Sequence, residues 1–308
     1  MDPIFAQYLN PAAILASVAR APLTPGQLAP FFDTEGIPGL TAYINDPADD
    51  TPKPTAAIAR GGPRMPIAAV EDVVKTLTTT TYGWEKALYA DSSLGRPEVL
   101  QQRIDKITAW LRKQADVQHE YLRLQAVLAA SNVMGSRPAA VVIALSTDAT
   151  KVQKEIFDKV VVLMEAALGG LTYSGIHLFT DNGFWSAWLG NKERRDTLIQ
   201  SPQSGELRAD PRVISDFGGV VWERYRGKGA TQLPTNTAFA IPMGVSGLFR
   251  QVFSPDDTLQ SIGQGEIGEP YYPNAWLLED DKGYRLTMQT HPAMICTRPD
   301  CILEIHLS

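Results

Sequence analysis

The sequence contains little cysteine and histidine, and the few that are present form no familiar catalytic or metal-binding pattern. Its 308 residues include two cysteines, Cys296 and Cys301, and four histidines. Their spacing gives neither the C-x-x-C nor the H-E-x-x-H pattern in which zinc ligands recur, and G-x-S-x-G and G-K-[ST] motifs are absent. Strand-like residues around both cysteines favour free thiols over a disulfide. We therefore expect no catalytic residue, no metal ligand and no bound cofactor.

Long hydrophobic runs and an excess of basic residues are also missing. The most apolar stretch, KVVVLMEAALGGL, is interrupted by Glu165 and is too short to span a membrane, so we expect no membrane partner. The net charge of −6 and the pI near 5.3 argue against a dedicated nucleic-acid binder, which normally carries a basic stripe. The acidic pairs Asp256-Asp257 and Asp280-Asp281 adjoin turn residues and are interpreted as solvated turns.

One motif, GQGEIG at positions 263–268, has the G-x-G-x-x-G spacing of a dinucleotide site. Such a site needs a strand before the glycines and a helix that begins at the last one, so that the helix N-terminus faces the pyrophosphate. Pro270 and Pro273 follow instead, and proline disfavours the helical region in the residue before it. A glycine-rich turn is therefore the preferred interpretation, and a nucleotide-binding enzyme is a less favoured alternative.

Proline and glycine are concentrated in the first seventy residues. Between Pro22 and Pro66 their density excludes a helix, yet several large apolar side chains lie in the same stretch. An extended arm followed by a loop would reconcile the two features, provided that the apolar side chains are buried on the same chain or on a neighbour. These side chains are Phe31, Phe32, Ile37, Leu40, Tyr43 and Ile44.

The middle of the chain is helical and the remainder alternates helices with strands. Apolar residues recur at steps of three and four from Pro97 to about residue 131, which predicts one helix roughly 50 Å long lying across a sheet. AAVVIALST then predicts a buried strand, NGFWSAWLGNKERRDTL a single helix, and NAWLLEDDKGYRLTMQ a hairpin. The predicted class is α+β.

The stretch DFGGVVWERYRG at 216–227 resembles a signature of the lambda-type major capsid protein family of tailed phages, the protein E family. HLFTDNGFWSAWLGNKERRD, NTAFAIPMGVSGLFRQVFSPDD and GEPYYPNAW agree with other family segments in order and spacing. Thr290 and Ala293 depart from the more usual serine and leucine near the end of the chain. The residues that match the signature are Gly218, Gly219, Trp222, Glu223, Tyr225, Arg226 and Gly227.

The resemblance implies the Hong Kong 97 capsid fold. In that fold, GQGEIG falls at a turn before a G-x-P-x-Y segment. The implied function is self-assembly into the hexamers and pentamers of an icosahedral phage head that encloses double-stranded DNA without sequence specificity. The implied domains are an N-terminal arm (1–38), an extended loop (39–70), a peripheral domain (71–145) with a spine helix (about 97–131), a mainly axial domain (146–275) and closing strands shared by both domains (276–308).

Candidate subunit contacts come from the arm, the loop and the signature. Aromatic side chains and arginine dominate interface energetics, so we expect contacts from them. The alternative is that Trp222 and Tyr225 pack in the subunit core while Glu223 and Arg226 pair locally. Strand alternation would place Trp222 and Arg226 on one face and the other two on the opposite face. The candidates are Phe31, Phe32, Tyr43, Ile44, Trp222, Tyr225 and Arg226.

The resemblance also implies partners and a location. A separate scaffolding protein or maturation protease, a portal and a possible decoration protein are expected, with assembly in the host cytoplasm and a final location in the virion capsid. Lys53 is the only lysine of the loop, and no motif supplies a crosslinking partner for it, so we expect no crosslink. The alternatives are an encapsulin-like shell that houses cargo protein, and another virion component such as a tail or portal protein.

Overall fold

The computed structural model describes residues 11–20, 26–45, 74–89, 96–145, 151–200, 215–257, 266–278 and 282–308. Helices and sheets are both present, which confirms the α+β class. Several sequence predictions lie outside the described residues: the loop around Lys53, the first two glycines of GQGEIG, and the acidic pair Asp280-Asp281.

The helices are α1 (Pro11–Arg20), α2 (Pro97–Leu128), α3 (Val152–Ile156), α4 (Val162–Leu168), α5 (Asn182–Gly190) and α6 (Lys192–Gln200), and a π-helical segment (Phe157–Val161) joins α3 to α4. The strands are β1 (Asp33–Gly36), β2 (Thr41–Asn45), β3 (Val74–Thr78), β4 (Tyr82–Tyr89), β5 (Ser131–Asn132), β6 (Gly135–Ser136), β7 (Val141–Ile143), β8 (Gly175–Thr180), β9 (Ser215–Phe217), β10 (Val220–Arg224), β11 (Thr237–Met243), β12 (Phe249–Phe253), β13 (Tyr272–Leu277), β14 (Gly283–Thr290), β15 (Pro292–Cys296) and β16 (Leu303–Leu307).

The chain separates into two compact units. Unit 1 contains residues 1–42, 76–126 and 249–295, and unit 2 contains residues 43–75, 127–248 and 296–308. Each unit has its own hydrophobic core and its own principal sheet.

In unit 1, α2 packs on a three-stranded antiparallel sheet of order β13-β14-β4. The apolar stripe predicted from the spacing forms the buried side of the helix, and it meets Leu286 and Met288 of the central strand. At 1.5 Å per residue the 32-residue helix is about 48 Å long, close to the predicted length. The buried helix residues of this core are Leu100, Ile104, Ile107, Leu111 and Ala115.

A second sheet of unit 1 joins the arm to the C-terminal part of the chain. Its order is β1-β12-β15, and β1 runs parallel to β12 with Asp33 opposite Arg250. Glu35 forms an ion pair with Arg250, and the Gln251 amide donates to the hydroxyl of Thr34. The arm is thus held by both backbone and side-chain contacts within its own unit.

Unit 2 is built around a six-stranded mixed sheet of order β7-β16-β11-β8-β10-β9. The central strand β8 is buried along nearly its whole length, lying between antiparallel β11 and parallel β10. Helices α3, α4 and α5 contribute to its core, with Trp188 and Trp222 among the largest fully buried side chains.

Three local predictions differ from the structure. Helix α1 lies before the proline-rich stretch and was not predicted. The helix predicted for NGFWSAWLGNKERRDTL is two helices, because Asn191 is extended (φ −64°, ψ 136°) and its side chain accepts a hydrogen bond from Arg194 N to begin α6. The strand predicted as buried, β7, is an edge strand in which Val142 is half exposed.

Candidate functional site

The DFGGVVWERYRG block forms a tight hairpin at the edge of the unit 2 sheet. Gly218 and Gly219 connect β9 to β10 with φ values of +69° and +76°, and Phe217 pairs with Val220. Two successive positive φ values belong to the two-residue hairpin turn for which glycine is favoured. The glycine pair is therefore explained by the turn that it makes.

Trp222 lies inside unit 2. Its side chain is fully buried, and its indole N–H donates to the carbonyl oxygen of Phe217 at 3.1 Å. The ring stacks on Trp188 of α5 with centroids 3.8 Å apart and an interplanar angle of 2°. Burial of a large aromatic ring with its N–H bonded makes Trp222 a core residue, as the alternative interpretation had it.

Tyr225 and Glu223 also make contacts within unit 2. Tyr225 is buried, its backbone N–H donates to Thr180 O at 2.9 Å, and its ring meets the Phe179 ring edge-on. Glu223 Oε2 lies 2.9 Å from Nε2 of the buried His177. Glu223 therefore has a partner within unit 2 in His177.

The signature ends at an exposed arginine and a crowded glycine. Strand β10 ends at Arg224, so the alternation predicted to extend to Arg226 does not apply, and Arg226 is exposed. A Cβ atom on Gly227 would overlap the Thr231 carbonyl and lie 2.7 Å from the Tyr225 ring. Gly227 is therefore required by close packing.

The candidate contacts in the arm and loop also include both buried and exposed side chains. Phe32 is buried on Phe249, with ring centroids 4.8 Å apart, and Ile44 is also buried. Phe31 ends a short 3-10 helix and is half-buried. Tyr43 is 70% exposed. Of these four side chains, Tyr43 is the most exposed.

Helix α2 anchors the arm near Gly26 and Leu28 through Glu120. Its carboxylate accepts a hydrogen bond from the backbone N–H of Leu28 at 3.1 Å, and it occupies the space where a side chain on Gly26 would lie. Arg123 lies 3.4 Å from the same carboxylate and donates to Gln251 at 3.0 Å. These buried polar groups tie the arm, α2 and β12 together within unit 1.

The last glycine of GQGEIG has a structural role. Gly268 is buried, its N–H donates to Ile37 O at 3.1 Å, and Ile37 N in turn donates to Phe253 O at 2.9 Å. A Cβ on Gly268 would overlap the Phe253 carbonyl and lie 2.6 Å from the carbonyl carbon of Ser254. Because this N–H is already bonded to the arm, it is not available to a phosphate.

Two groups of exposed apolar side chains were not identified from the sequence. In unit 1, Tyr89, Trp276 and Leu277 lie at one end of the β13-β14-β4 sheet, and Trp276 is 56% exposed. In unit 2, Phe157, Val162 and Leu163 are exposed on the segment from α3 to α4. The NAWLL run was assigned to a hairpin, and period-2 alternation alone does not show which face lacks a covering layer.

The largest pKa displacements in the described part of the chain belong to buried groups. Burial, with a contribution from Arg123, lowers the pKa of His119 to about 3. Burial and a 2.5 Å hydrogen bond to Asp116 raise the pKa of Tyr271 to about 12. Burial also raises the pKa of Cys301 to about 12. These groups are neutral at physiological pH and belong to packed interiors.

No described helix is both long enough and apolar enough to cross a membrane.

Comparison with known proteins decides the family. A family model described as phage major capsid protein E matches residues 11–307. The chain belongs to this family. Among curated proteins, none matches it in sequence.

Solved structures similar to this capsid protein share its fold at low sequence identity. A protein assigned as the capsid protein of a prophage in E. coli CFT073 superposes with a TM-score of 0.60 at 12% identity, covering 97% of this chain and 99% of its own. A mature capsid structure of bacteriophage PhiM1 gives 0.56 at 12% identity, covering 90% and 85%. A capsid structure of cyanophage P-SCSP1u gives 0.50 at 13% identity, covering 90% and 86%.

These matches confirm the resemblance carried by DFGGVVWERYRG. The fold is the Hong Kong 97 capsid fold, and the protein is a major capsid protein. The family match spans nearly the whole chain, so it favours a phage capsid protein over an encapsulin-like shell or a nucleotide-binding enzyme.

Proposed function

We propose that this protein assembles into hexamers and pentamers that close into an icosahedral phage head around double-stranded DNA. The observation that carries the proposal is the family match over residues 11–307. Its role is structural, with no catalytic step. Assembly takes place in the host cytoplasm, with a scaffolding protein or maturation protease, a portal and a decoration protein as partners, and its product is the virion capsid.

The exposed apolar side chains support contacts between copies of the chain. Tyr89, Trp276 and Leu277 are exposed at the same end of one sheet, where Tyr89 and Trp276 share a face and Leu277 lies on the other, and β13 is an edge strand. Apolar patches on a subunit surface mark interaction sites, and tryptophan and tyrosine contribute most to interface energetics. We therefore propose this sheet end as a contact surface, together with the exposed side chains of Phe157 and Leu163.

Among the contacts predicted from the sequence, exposure favours Tyr43 and Arg226 as the residues that meet a neighbour directly. The buried candidates, such as Trp222, would act by holding β10 and the segment after it in place. Tyrosine and arginine are both enriched in the cores of protein interfaces.

Domain roles follow from the two compact units. We assign the peripheral role to unit 1, which contains α2 as the spine helix, and the axial role to unit 2, which contains the six-stranded sheet. This assignment would place residues 249–275 with the peripheral domain. The acidic net charge of −6 suits a wall that encloses DNA without holding it tightly.

Assembly can be tested by negative-stain electron microscopy and size-exclusion chromatography of the full chain. We expect closed polyhedral particles or free hexamers and pentamers. A chain that remains monomeric when co-expressed with the other structural proteins of its phage would contradict the proposed function. Ring-shaped particles would point to a tail or portal component instead.

Trp276 provides a separate test of the contact surface. Trp276→Ser should leave the thermal unfolding of the subunit nearly unchanged, because the ring is more than half exposed, yet reduce the yield of particles. Trp276→Phe is the matched control, which keeps an apolar ring and should assemble. Normal particle yield from Trp276→Ser would exclude this surface while leaving the shell function intact.

A further inference from the structure

Two carboxylates and one imidazole converge in unit 1, outside the surfaces described above. Asp256 and Asp257 follow β12, and His291 lies between β14 and β15. Their ligand atoms all lie within 4.8 Å of one another. Metal–ligand bonds of about 2.0–2.2 Å place the ligands of one ion about 3–4.4 Å apart, so this cluster needs only a small adjustment to surround an ion.

The histidine has an unused ring nitrogen that faces the carboxylates. His291 is 2% exposed, and its Nδ1 is 2.9 Å from the hydroxyl oxygen of Thr81. Its Nε2 has no hydrogen-bond partner and lies 3.5 Å from Asp256 Oδ1. An unpaired polar atom in such a buried position is costly. A ring held through one nitrogen, with the other directed at acidic groups, has the arrangement of a metal-binding histidine.

The amide of Gln289 faces the same two carboxylates. With its nitrogen turned towards them, it donates to Asp256 Oδ1 at 3.0 Å and to Asp257 Oδ1 at 3.1 Å. Rotation of the amide by half a turn would direct its oxygen to the same place and add an oxygen ligand beside the carboxylates. Gln289 therefore suits both the metal-free cluster and the metal-bound one.

We propose that Asp256, Asp257 and His291 bind one divalent transition-metal ion, with Zn²⁺ and Mn²⁺ as the best-fitting ions. Two carboxylates balance the charge of a divalent ion. The imidazole ligand favours these ions over Mg²⁺ and Ca²⁺, which prefer all-oxygen sites. Asp257 is exposed, so an ion can enter from solvent.

A bound ion would connect parts of unit 1 that are distant in sequence. It would join the segment after β12 to the junction of β14 and β15. Through the bond between His291 and Thr81, it would also reach the link between β3 and β4. Binding to the folded chain alone raises stability in proportion to the logarithm of ion concentration. The site is thus a structural crosslink of the subunit.

The test uses the full chain, stripped with a chelator and then titrated with ZnCl₂, MnCl₂ or MgCl₂. Metal content after gel filtration should be one Zn²⁺ per chain. A Zn²⁺ concentration of 100 times Kd should raise the unfolding temperature by about 5 °C. Asp257→Asn should weaken Zn²⁺ binding at least tenfold while leaving the unfolding temperature of the metal-free chain unchanged, because Asp257 is exposed. Asp216→Asn, which changes an exposed acid in unit 2, is the matched control and should bind normally.

Three outcomes would overturn the proposal. The first is the absence of Zn²⁺ and Mn²⁺ binding to the stripped chain. The second is binding that Asp257→Asn leaves unchanged, which would place the ion elsewhere. The third is equal binding of Mg²⁺ and Zn²⁺, which would remove the role assigned to the His291 imidazole.

Discussion

Replacing Gly268 with alanine tests whether the last glycine of GQGEIG serves packing. In the folded chain its Cα faces the backbone of the segment after β12, and its N–H donates to Ile37 O in the arm. The added Cβ would overlap the Phe253 carbonyl and approach the carbonyl carbon of Ser254 to 2.6 Å. Because these neighbours are backbone atoms, a rotamer change cannot relieve the overlap.

The expected cost has two parts. Overpacking a close-packed site costs about 1–3 kcal/mol, and weakening one buried hydrogen bond adds about 1 kcal/mol. We therefore expect Gly268→Ala to destabilise the chain by about 3 kcal/mol, and for a chain of this size that lowers the unfolding temperature by about 6 °C. The matched control is Gly39→Ala, since a Cβ there has nothing within 4 Å. The control should change stability by less than about 1 kcal/mol.

Differential scanning fluorimetry of both variants, with and without added dinucleotide, distinguishes the two interpretations of the motif. If Gly268 serves packing, the unfolding temperature should fall strongly in Gly268→Ala and change little in Gly39→Ala. Added nucleotide should not change the unfolding temperature of any of the three proteins. If Gly268→Ala unfolds within 1 °C of Gly39→Ala, the reasoning from the close approach is wrong. A nucleotide-dependent rise in the wild-type protein that Gly268→Ala abolishes would revive the enzyme alternative.

Three further predictions concern buried groups. The pKa of His119 is lowered to about 3 in the folded chain and lies near 6.5 in the unfolded chain. Between these pH values the unfolded chain binds a proton that the folded chain does not. The free energy of unfolding should therefore fall by about 1.4 kcal/mol for each pH unit below 6.5, down to about pH 3. Denaturant unfolding between pH 6.5 and 5 should show a shallower loss for His119→Gln, and an unchanged slope would contradict the assignment. Burial raises the pKa of both Cys296 and Cys301, so maleimide at pH 8 should label neither until the chain is denatured; rapid labelling of the native chain would show that they are accessible. Trp222→Ala should cost about 3–5 kcal/mol and abolish soluble expression, whereas wild-type yield would argue against its place in the core.

The capsid signature is explained mainly by the fold of one subunit. The glycine pair makes a hairpin turn, Trp222 stacks on Trp188, and Gly227 allows a close approach to Thr231. Under the proposed function, these residues would affect assembly indirectly, by holding exposed neighbours such as Arg226 in position.

The sequence by itself determined the features that depend on near neighbours along the chain. The stripe from Leu100 to Ala115 specified α2 and its buried side, because a helix has a fixed period. The DFGGVVWERYRG block specified the family, which the match over residues 11–307 confirms. The break at Asn191 was missed, since a side-chain cap within an otherwise helical pattern is a weak local signal.

Tertiary structure decided which distant residues meet. Gly268 packs against the arm near Gly36, and His291 faces Asp256, although long stretches of chain separate each pair. Such proximity depends on strand order and register, which period-2 alternation leaves open. The same holds for two tryptophans: the sequence makes Trp222 a candidate subunit contact and places Trp276 in a predicted hairpin. Burial by α5 makes Trp222 a core residue, and the edge position of β13 leaves Trp276 exposed. Whether a side chain is covered is a property of the whole fold, so only the fold could assign these roles.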